Sequence, residues 1–361
     1  MRMGTNVLHG DGTDFFFQRP SPFHFPLSLP YSCTAMLALV KTIRFETEDV
    51  ISIELCPNPA SATTPFSDFK AFSAGDHIDL QLPNGLTKSY SLMNNPQERD
   101  RYVLGVLKDP KSRGGSKWLH EHLKVGMRLE ITEPSNNFPL HENFQHTILV
   151  AGGIGVTPLL AMAHRLKAMN ASFEFIYAAK SKALGPFQDV VTQFGAPVHW
   201  HFDDEVGSPP HLEQLIHDRL QKSGLQGEAC QLYACGPEPM LDAFLKACTH
   251  LSLPHANIER FKAPEVQVSS ELKKAYTLTL KKSNKTIEVT PDMTLLQALR
   301  IHHIEVDTSC EEGVCGACET RVLSGEPDHL DYVLSDQERE KNKVMMVCIS
   351  GCKSDHLELD L

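Results

Sequence analysis

Four cysteines near the C-terminal end constrain this chain more than any other feature. Cys310, Cys315 and Cys318 follow the spacing C-x4-C-x2-C, and Cys348 comes after twenty-nine intervening residues. That is the spacing of a plant-type [2Fe-2S] site. Soft thiolates suit iron–sulfur chemistry, and three on one tight loop can wrap a small cluster while a distant fourth closes it. Gly313 and Gly316 let the backbone approach closely, so that loop amides can reach the sulfurs. Two other readings stay open at this level. A zinc site usually shows paired C-x2-C elements, and only Cys315–Cys318 qualifies. Four merely buried thiols would make the spacing a coincidence. Cys352 lies close behind Cys348 and reads as an ordinary small apolar residue.

The ten cysteines are otherwise scattered through 361 residues, with no basic and apolar leader ahead of them. They do not read as a disulfide framework, so a reducing, cytoplasmic setting is expected. The length suggests two or three domains, each with its own core. A net charge of −11 argues against nucleic acid or an anionic membrane as partner, and no apolar run approaches a membrane span. A monomer is expected. Residues 1–35, with Phe15–Phe17 and four prolines among few charges, read as a disordered extension ahead of a natural start at Met36.

Three textures follow. Residues 36–143 alternate in short strands. His77–Leu82 switches polar and apolar, and Pro83-Asn84-Gly85 turns the chain, as in an antiparallel barrel or sandwich. Residues 144–262 change to strand–helix–strand, with Thr147–Ala151 as a strand buried on both faces; a parallel sheet flanked by helices is expected. Residues 263–274 read as a linker. Over 275–361, strands around the Ser283-Asn284 turn precede a short helix at Leu295–Ile301, and Ser335-Asp336-Gln337-Glu338 has capping-box spacing.

Ala151-Gly152-Gly153-Ile154-Gly155-Val156-Thr157-Pro158 follows a strand and opens a helix. Its glycines permit a tight turn, the helix N-terminus offers amides to a pyrophosphate, and Pro158 is expected at the first helical position. Cys235-Gly236-Pro237 ends a second strand, where ligands of open α/β sheets bind. Either element alone reads as ordinary structure; together they mark Gly153, Gly155, Thr157, Pro158, Cys235, Gly236 and Pro237 as candidates for nucleotide contact.

Lys88-Ser89-Tyr90-Ser91-Leu92, Arg113-Gly114-Gly115-Ser116, the Gly152–Pro158 loop, Cys235-Gly236-Pro237 and the four C-terminal cysteines occur in one order. That order resembles the phthalate dioxygenase reductase family, flavin and iron–sulfur reductases serving Rieske non-haem iron oxygenases, over Leu37 to Leu361. The resemblance implies a multidomain protein: an antiparallel β-barrel for flavin, an α/β parallel-sheet nucleotide domain and a C-terminal β-grasp ferredoxin domain. It implies that Tyr90 and Leu92 lie at the flavin, with Ser91 near its N5. Gly114, Gly115 and Ser116 would hold the terminal phosphate. Cys235 would sit beside the nicotinamide, and Phe261 would cover the flavin face. Lys88 stands where the family has arginine, which keeps the charge and loses the planar fork.

The implied activity is that of an NADH-dependent flavin and iron–sulfur oxidoreductase. It would carry electrons from NADH through FMN, rather than FAD, to a [2Fe-2S] cluster and on to a separate Rieske oxygenase or demethylase. No pair of C-x-H and C-x-x-H motifs occurs here, so oxygen activation belongs to another chain. Lys180, Ser181 and Lys182 could meet a 2′-phosphate, which leaves NADPH open. Other readings are an FAD-dependent reductase for another acceptor such as a diiron hydroxylase, a redox-sensing iron–sulfur protein without turnover, or a zinc-stabilised interaction module. Residues 275–361 carry 16 Asp and Glu against 9 Lys and Arg, a difference of −7. An acidic face that steers docking would account for this, and so would a merely solvated surface.

Overall fold

A computed structural model describes residues 36–58, 68–225, 227–263 and 274–361. The extension expected over 1–35 and most of the linker expected over 263–274 lie outside the described residues.

The first sheet is antiparallel. It comprises β1 (Met36–Phe45), β2 (Val50–Pro57), β3 (Asp76–Gln81), β4 (Thr87–Ser91) and β5 (Tyr102–Leu107); after α1 (Gly115–His122) come β6 (Arg128–Ile131) and the two-residue β7 (Ser135–Asn136). The strand order is β4-β3-β6-β1-β2-β5, with β7 on β3. Just past β4, Leu92 bridges to Leu104 and the Met93 amide donates to the Val103 carbonyl at 3.0 Å. The two end strands therefore meet, and the sheet closes as a barrel. Alternation places Ile78 and Leu80 in a fully buried interior and turns His77, Asp79, Ser89 and Ser91 to the outside of the barrel. Gly85, at φ +82°, makes the turn between β3 and β4.

The second sheet is wholly parallel. Its strands are β8 (His146–Gly152), β9 (Ser172–Ala179), β10 (Val198–Phe202), β11 (Cys230–Cys235) and β12 (Ala256–Glu259), in the order β10-β9-β8-β11-β12. The helices are α2 (Val156–Ala168), α3 (Gln188–Gln193), α4 (Asp203–Val206), α5 (Leu212–Ser223) and α6 (Glu238–His250). Every residue of β8 is buried, as its continuous apolar run requires. Strand order reverses at β8, which opens a crevice above the carboxyl ends of β8 and β11. Leu212, Ile216, Leu241 and Phe244 of α5 and α6 cover one face of the sheet. The other face, with α2, shares a single apolar core with the barrel. Across that seam Phe138 meets Tyr233 edge to face at 5.3 Å, and the Tyr233 hydroxyl donates to Pro139 O and accepts from His141 N, both at 2.9 Å.

One local expectation is corrected. A 3₁₀ turn at Gly153–Gly155 leads into α2 at Val156, so Pro158 is the third helical residue rather than the first. It is still in the first turn, where a missing amide hydrogen leaves no intrahelical bond unmade.

The C-terminal part is built of β13 (Tyr276–Leu280), β14 (Lys285–Val289), α7 (Leu295–Ile301), β15 (Glu319–Ser324), β16 (Pro327–Asp328), α8 (Asp336–Lys341), β17 (Val344–Met346), β18 (Gly351–Cys352) and β19 (His356–Leu359). The mixed sheet runs β14-β13-β19-β15-β17, with β13 and β19 parallel, and β16 pairs with β18 separately. Both short helices are opened by full capping boxes, at Thr294 with Gln297 and at Ser335 with Glu338. Leu295, Leu296, Ala298 and Leu299 bury against Leu278, Ile287 and Leu357, giving this part a core of its own. A helix laid across a mixed sheet in this way is the β-grasp arrangement.

Candidate functional site

The cysteine loop follows α7. Glu311, Gly313 and Gly316 adopt positive φ, at +56°, +72° and +77°, and coil the backbone around the sulfurs. The Glu312 amide donates to the Cys310 sulfur at 3.3 Å, and the Cys310 amide to the Cys315 sulfur at 3.4 Å. A side chain at Gly313 would press on Asp331 and Ile349, and one at Gly316 would meet the Asn137 amide at 2.9 Å. Cys315, Cys318 and Cys348 are buried and Cys310 is partly so.

The four thiols sort into two pairs, Cys310 with Cys315 and Cys318 with Cys348. Contact with the Cys315 thiol, then the surrounding amides, holds the Cys310 thiol down; the same contact and burial push Cys315 up. Among the described residues no three His, Cys, Asp or Glu side chains converge as they would around a single ion. Two pairs of thiolates suit two irons, whereas a structural zinc needs four ligands around one point. The donor set, the pairing and the amide hydrogen bonds to sulfur fit a [2Fe-2S] cluster. The described cysteines form no disulfide.

The crevice of the parallel sheet brings both glycine motifs together. A Cβ on Gly155 would lie 2.1 Å from the Cys235 carbonyl oxygen, and one on Gly236 would lie 2.9 Å from the Gly152 Cα. The loops thus touch backbone to backbone, which only glycine permits. Thr157 is buried, its hydroxyl donating to Ile154 O at 3.0 Å, and its methyl fills the space that Gly105 of the barrel leaves open.

Cys235 ends β11 and pairs in register with Glu259 of β12. Burial first, and the Glu259 carboxylate second, push its thiol well above the usual range. Glu259 in turn hydrogen-bonds the Ser91 hydroxyl of the barrel at 3.4 Å. Burial raises Glu259 to about 8 against that single opposing bond. The sequence reading placed Ser91 and Cys235 at the site and missed Glu259, since a carboxylate on a short strand carries no motif. Phe261 follows two residues later and is 41% exposed.

On the barrel, Tyr90 packs beside the core and burial pushes its phenol up. Leu92 is fully buried. Gly114, at φ +112°, opens α1, so Gly115 and Ser116 stand in the first turn with free amides. Ser116 Oγ accepts from the Asp109 amide at 3.2 Å and keeps its own hydrogen to donate. The stem of Lys88 lies against Gly115, and burial and then Arg113 lower its ammonium. Lys88 and Arg113 thus lie close to a helix N-terminus that has no acid in its first turn. Asp109 also pairs with Lys262, which brings the segment after Phe261 to the same place.

The barrel and the cysteine loop touch directly. Ser89 Oγ and Ser309 Oγ both contact Asp79 Oδ1, at 2.6 and 2.8 Å, and lie 2.7 Å from each other. Arg113 donates to the Cys310 carbonyl and pairs with Glu312 at 3.0 Å, and Asn137 donates to the Cys315 carbonyl at 2.7 Å. Arg260, held by Glu238, stacks on Tyr332. None of these contacts follows from local sequence.

Known proteins agree with this architecture. Residues 278–353 match the 2Fe-2S iron-sulfur cluster binding domain. Over 322 residues the chain is 40% identical to phenoxybenzoate dioxygenase subunit beta of Ectopseudomonas oleovorans, covering 89% of this chain and 96% of that protein. It superposes on an intact type IV self-sufficient cytochrome P450 monooxygenase with a TM-score of 0.79 and 35% identity, over 91% of this chain and 41% of that one. Phthalate dioxygenase reductase, described as a modular structure for electron transfer from pyridine nucleotides to [2Fe-2S], matches with a TM-score of 0.65 and 32% identity, over 91% of this chain and 98% of its own. With a closed barrel, a parallel nucleotide sheet and a [2Fe-2S] domain in that order, the chain is an oxidoreductase of the phthalate dioxygenase reductase family.

Proposed function

We propose that this chain is the reductase component of a multicomponent oxygenase, taking electrons from NADH through FMN and its [2Fe-2S] cluster to a separate Rieske oxygenase or demethylase. One observation carries the reading. Ser91, Cys235 and Glu259, from two different sheets, meet on strands whose neighbours reach the cysteine loop. A flavin held there supplies the change of electron count between a two-electron nicotinamide and a one-electron cluster.

The chain's own groups divide the work. Tyr90 shapes the flavin wall, and Leu92, fully buried, packs behind it. Lys88 with the amides of Gly114, Gly115 and Ser116 receives a terminal phosphate, and the family resemblance favours FMN over FAD. Gly153, Gly155, Thr157, Pro158, Gly236 and Pro237 line the nucleotide crevice, and Cys235 stands at the nicotinamide end. The neutral Cys235 thiol presents no charge to a hydride donor. Glu259, protonated at neutral pH, holds a proton beside the Ser91 hydroxyl. Phe261 covers the flavin face. Cys310, Cys315, Cys318 and Cys348 ligate the cluster. The domains run 36–143, 144–262 and 275–361, and the enzyme works as a cytoplasmic monomer. Among the described residues no helix is long and apolar enough to cross a membrane.

The test is anaerobic stopped-flow mixing of the purified enzyme with NADH or NADPH, with the released flavin identified by chromatography. Flavin bleaching should precede cluster bleaching, with NADH the faster donor and FMN the flavin recovered. Zinc in place of iron, or no nucleotide-dependent bleaching, would defeat the reading.

A further inference from the structure

Asp79 and Ser309 lie 230 positions apart in sequence and are both buried, at 9% and 5% exposure, where the barrel meets the cysteine loop. Asp79 sits on β3, beside the strand that carries Tyr90 and Ser91, and Ser309 immediately precedes Cys310. Ser89, opposite Asp79 in the ladder, completes a triangle of three oxygens with every edge at or below 2.8 Å. Two hydroxyl hydrogens serve this triangle, and the carboxylate can only accept. Removing either serine leaves a buried carboxylate short of a donor.

The setting makes this contact decisive. The barrel and the parallel sheet share an apolar core, whereas the C-terminal part has its own. Its hold on the barrel near the cysteines is polar: the Asp79 triangle, Arg113 on the Cys310 carbonyl, and Asn137 on the Cys315 carbonyl. Arg113 with Glu312 is an exposed pair and contributes little by itself. The triangle is the buried member, and buried charge-assisted bonds are the strong ones.

We propose that Asp79, with Ser89 and Ser309, is a positioning latch that holds the cysteine loop against the strand beside the flavin. It thereby governs passage of electrons from flavin to cluster without taking part in hydride transfer. This rests on the reading that flavin occupies the barrel face. A one-electron step between fixed centres weakens steeply as they separate, so loosening the loop slows that step. Cys235 lies on the far side of the Ser91–Glu259 contact and is untouched.

The experiment uses the full-length holoenzyme as wild type, Ser309→Ala, Ser309→Thr and Asp79→Asn. Each is checked first for unchanged cluster absorbance and unchanged EPR after dithionite. Hydrogen exchange of the loop amides is then read by mass spectrometry, and the flavin and cluster phases by anaerobic stopped flow with NADH. Ser309→Ala and Asp79→Asn should lose about tenfold protection in the loop, the factor that ~1.4 kcal/mol represents and the scale of one buried hydrogen bond. Their cluster phase should slow at least tenfold while the flavin phase stays within twofold, and Ser309→Thr should restore both. Unchanged loop protection and cluster phase, or equal slowing of both phases, would overturn the latch. A wild-type enzyme with no flavin phase would instead count against the proposed function, and the exchange measurement would still judge the latch.

Discussion

Glu259→Gln isolates the unusual carboxyl of the site. In the wild type, burial raises Glu259 to about 8 from an ordinary 4.5, with only the Ser91 hydroxyl at 3.4 Å to favour the charged form. The folded protein therefore prefers the neutral acid. At ~1.36 kcal/mol per pH unit the preference amounts to about 5 kcal/mol across the whole span from 4.5 to 8. The sign follows from proton counting. Between about 4.5 and 8 the folded state binds more protons here than the unfolded state, so this contribution is present at low pH and is lost as pH rises through about 8. Glutamine stays neutral throughout and keeps a hydrogen-bonding group of the same size. Urea titrations at pH 5.5 and pH 9 should show the wild type losing about 3 kcal/mol more than Glu259→Gln, the ~2.5 pH units of that window that lie below the folded value. The flavin phase of the wild type should also decline above pH 8, and that of the variant should be flat. Parallel stability curves for the two proteins would refute a neutral Glu259.

Three further outcomes follow from the geometry. Cys348→Ser should abolish the cluster's visible absorbance and reduced EPR signal, whereas Cys352→Ser, whose thiol bonds to Ser354 and lies outside the two sulfur pairs, should keep both. Gly155→Ala drives a Cβ into the Cys235 carbonyl at 2.1 Å, so it should cost ~3 kcal/mol by urea titration and weaken NADH binding more than tenfold. If the excess of seven negative charges over 275–361 steers the acceptor, electron delivery to it should fall several-fold between 50 and 500 mM salt; a flat profile would mark that surface as merely solvated.

Much of this protein was legible from local pattern. The textures of barrel, parallel sheet and C-terminal sheet each arose from apolar periodicity, and Leu295–Ile301 forms the expected helix because Thr294 and Gln297 cap it. The glycine loops were legible too, because close backbone approach leaves no other residue free to stand there. What escaped depends on three-dimensional meeting. Glu259 becomes special only when β12 is set against β11 and the barrel brings Ser91 to it. Asp79 and Ser309 are ordinary letters until two domains place them together. Pro158 was misplaced by two positions because the chain enters α2 through a 3₁₀ turn, whose glycines look the same in sequence as a direct start.

The single apolar interior shared by the barrel and the parallel sheet, against the separate one of the C-terminal part, has a thermal consequence. The first two can come apart only together, since separating them bares Phe138, Tyr233 and the α2 face to water at once. The third has an apolar core of its own, and its described contacts with the barrel near the cysteines are hydrogen bonds and an ion pair. Heating the holoenzyme in a calorimeter should therefore resolve two endotherms, with loss of iron colour following one of them and loss of flavin the other.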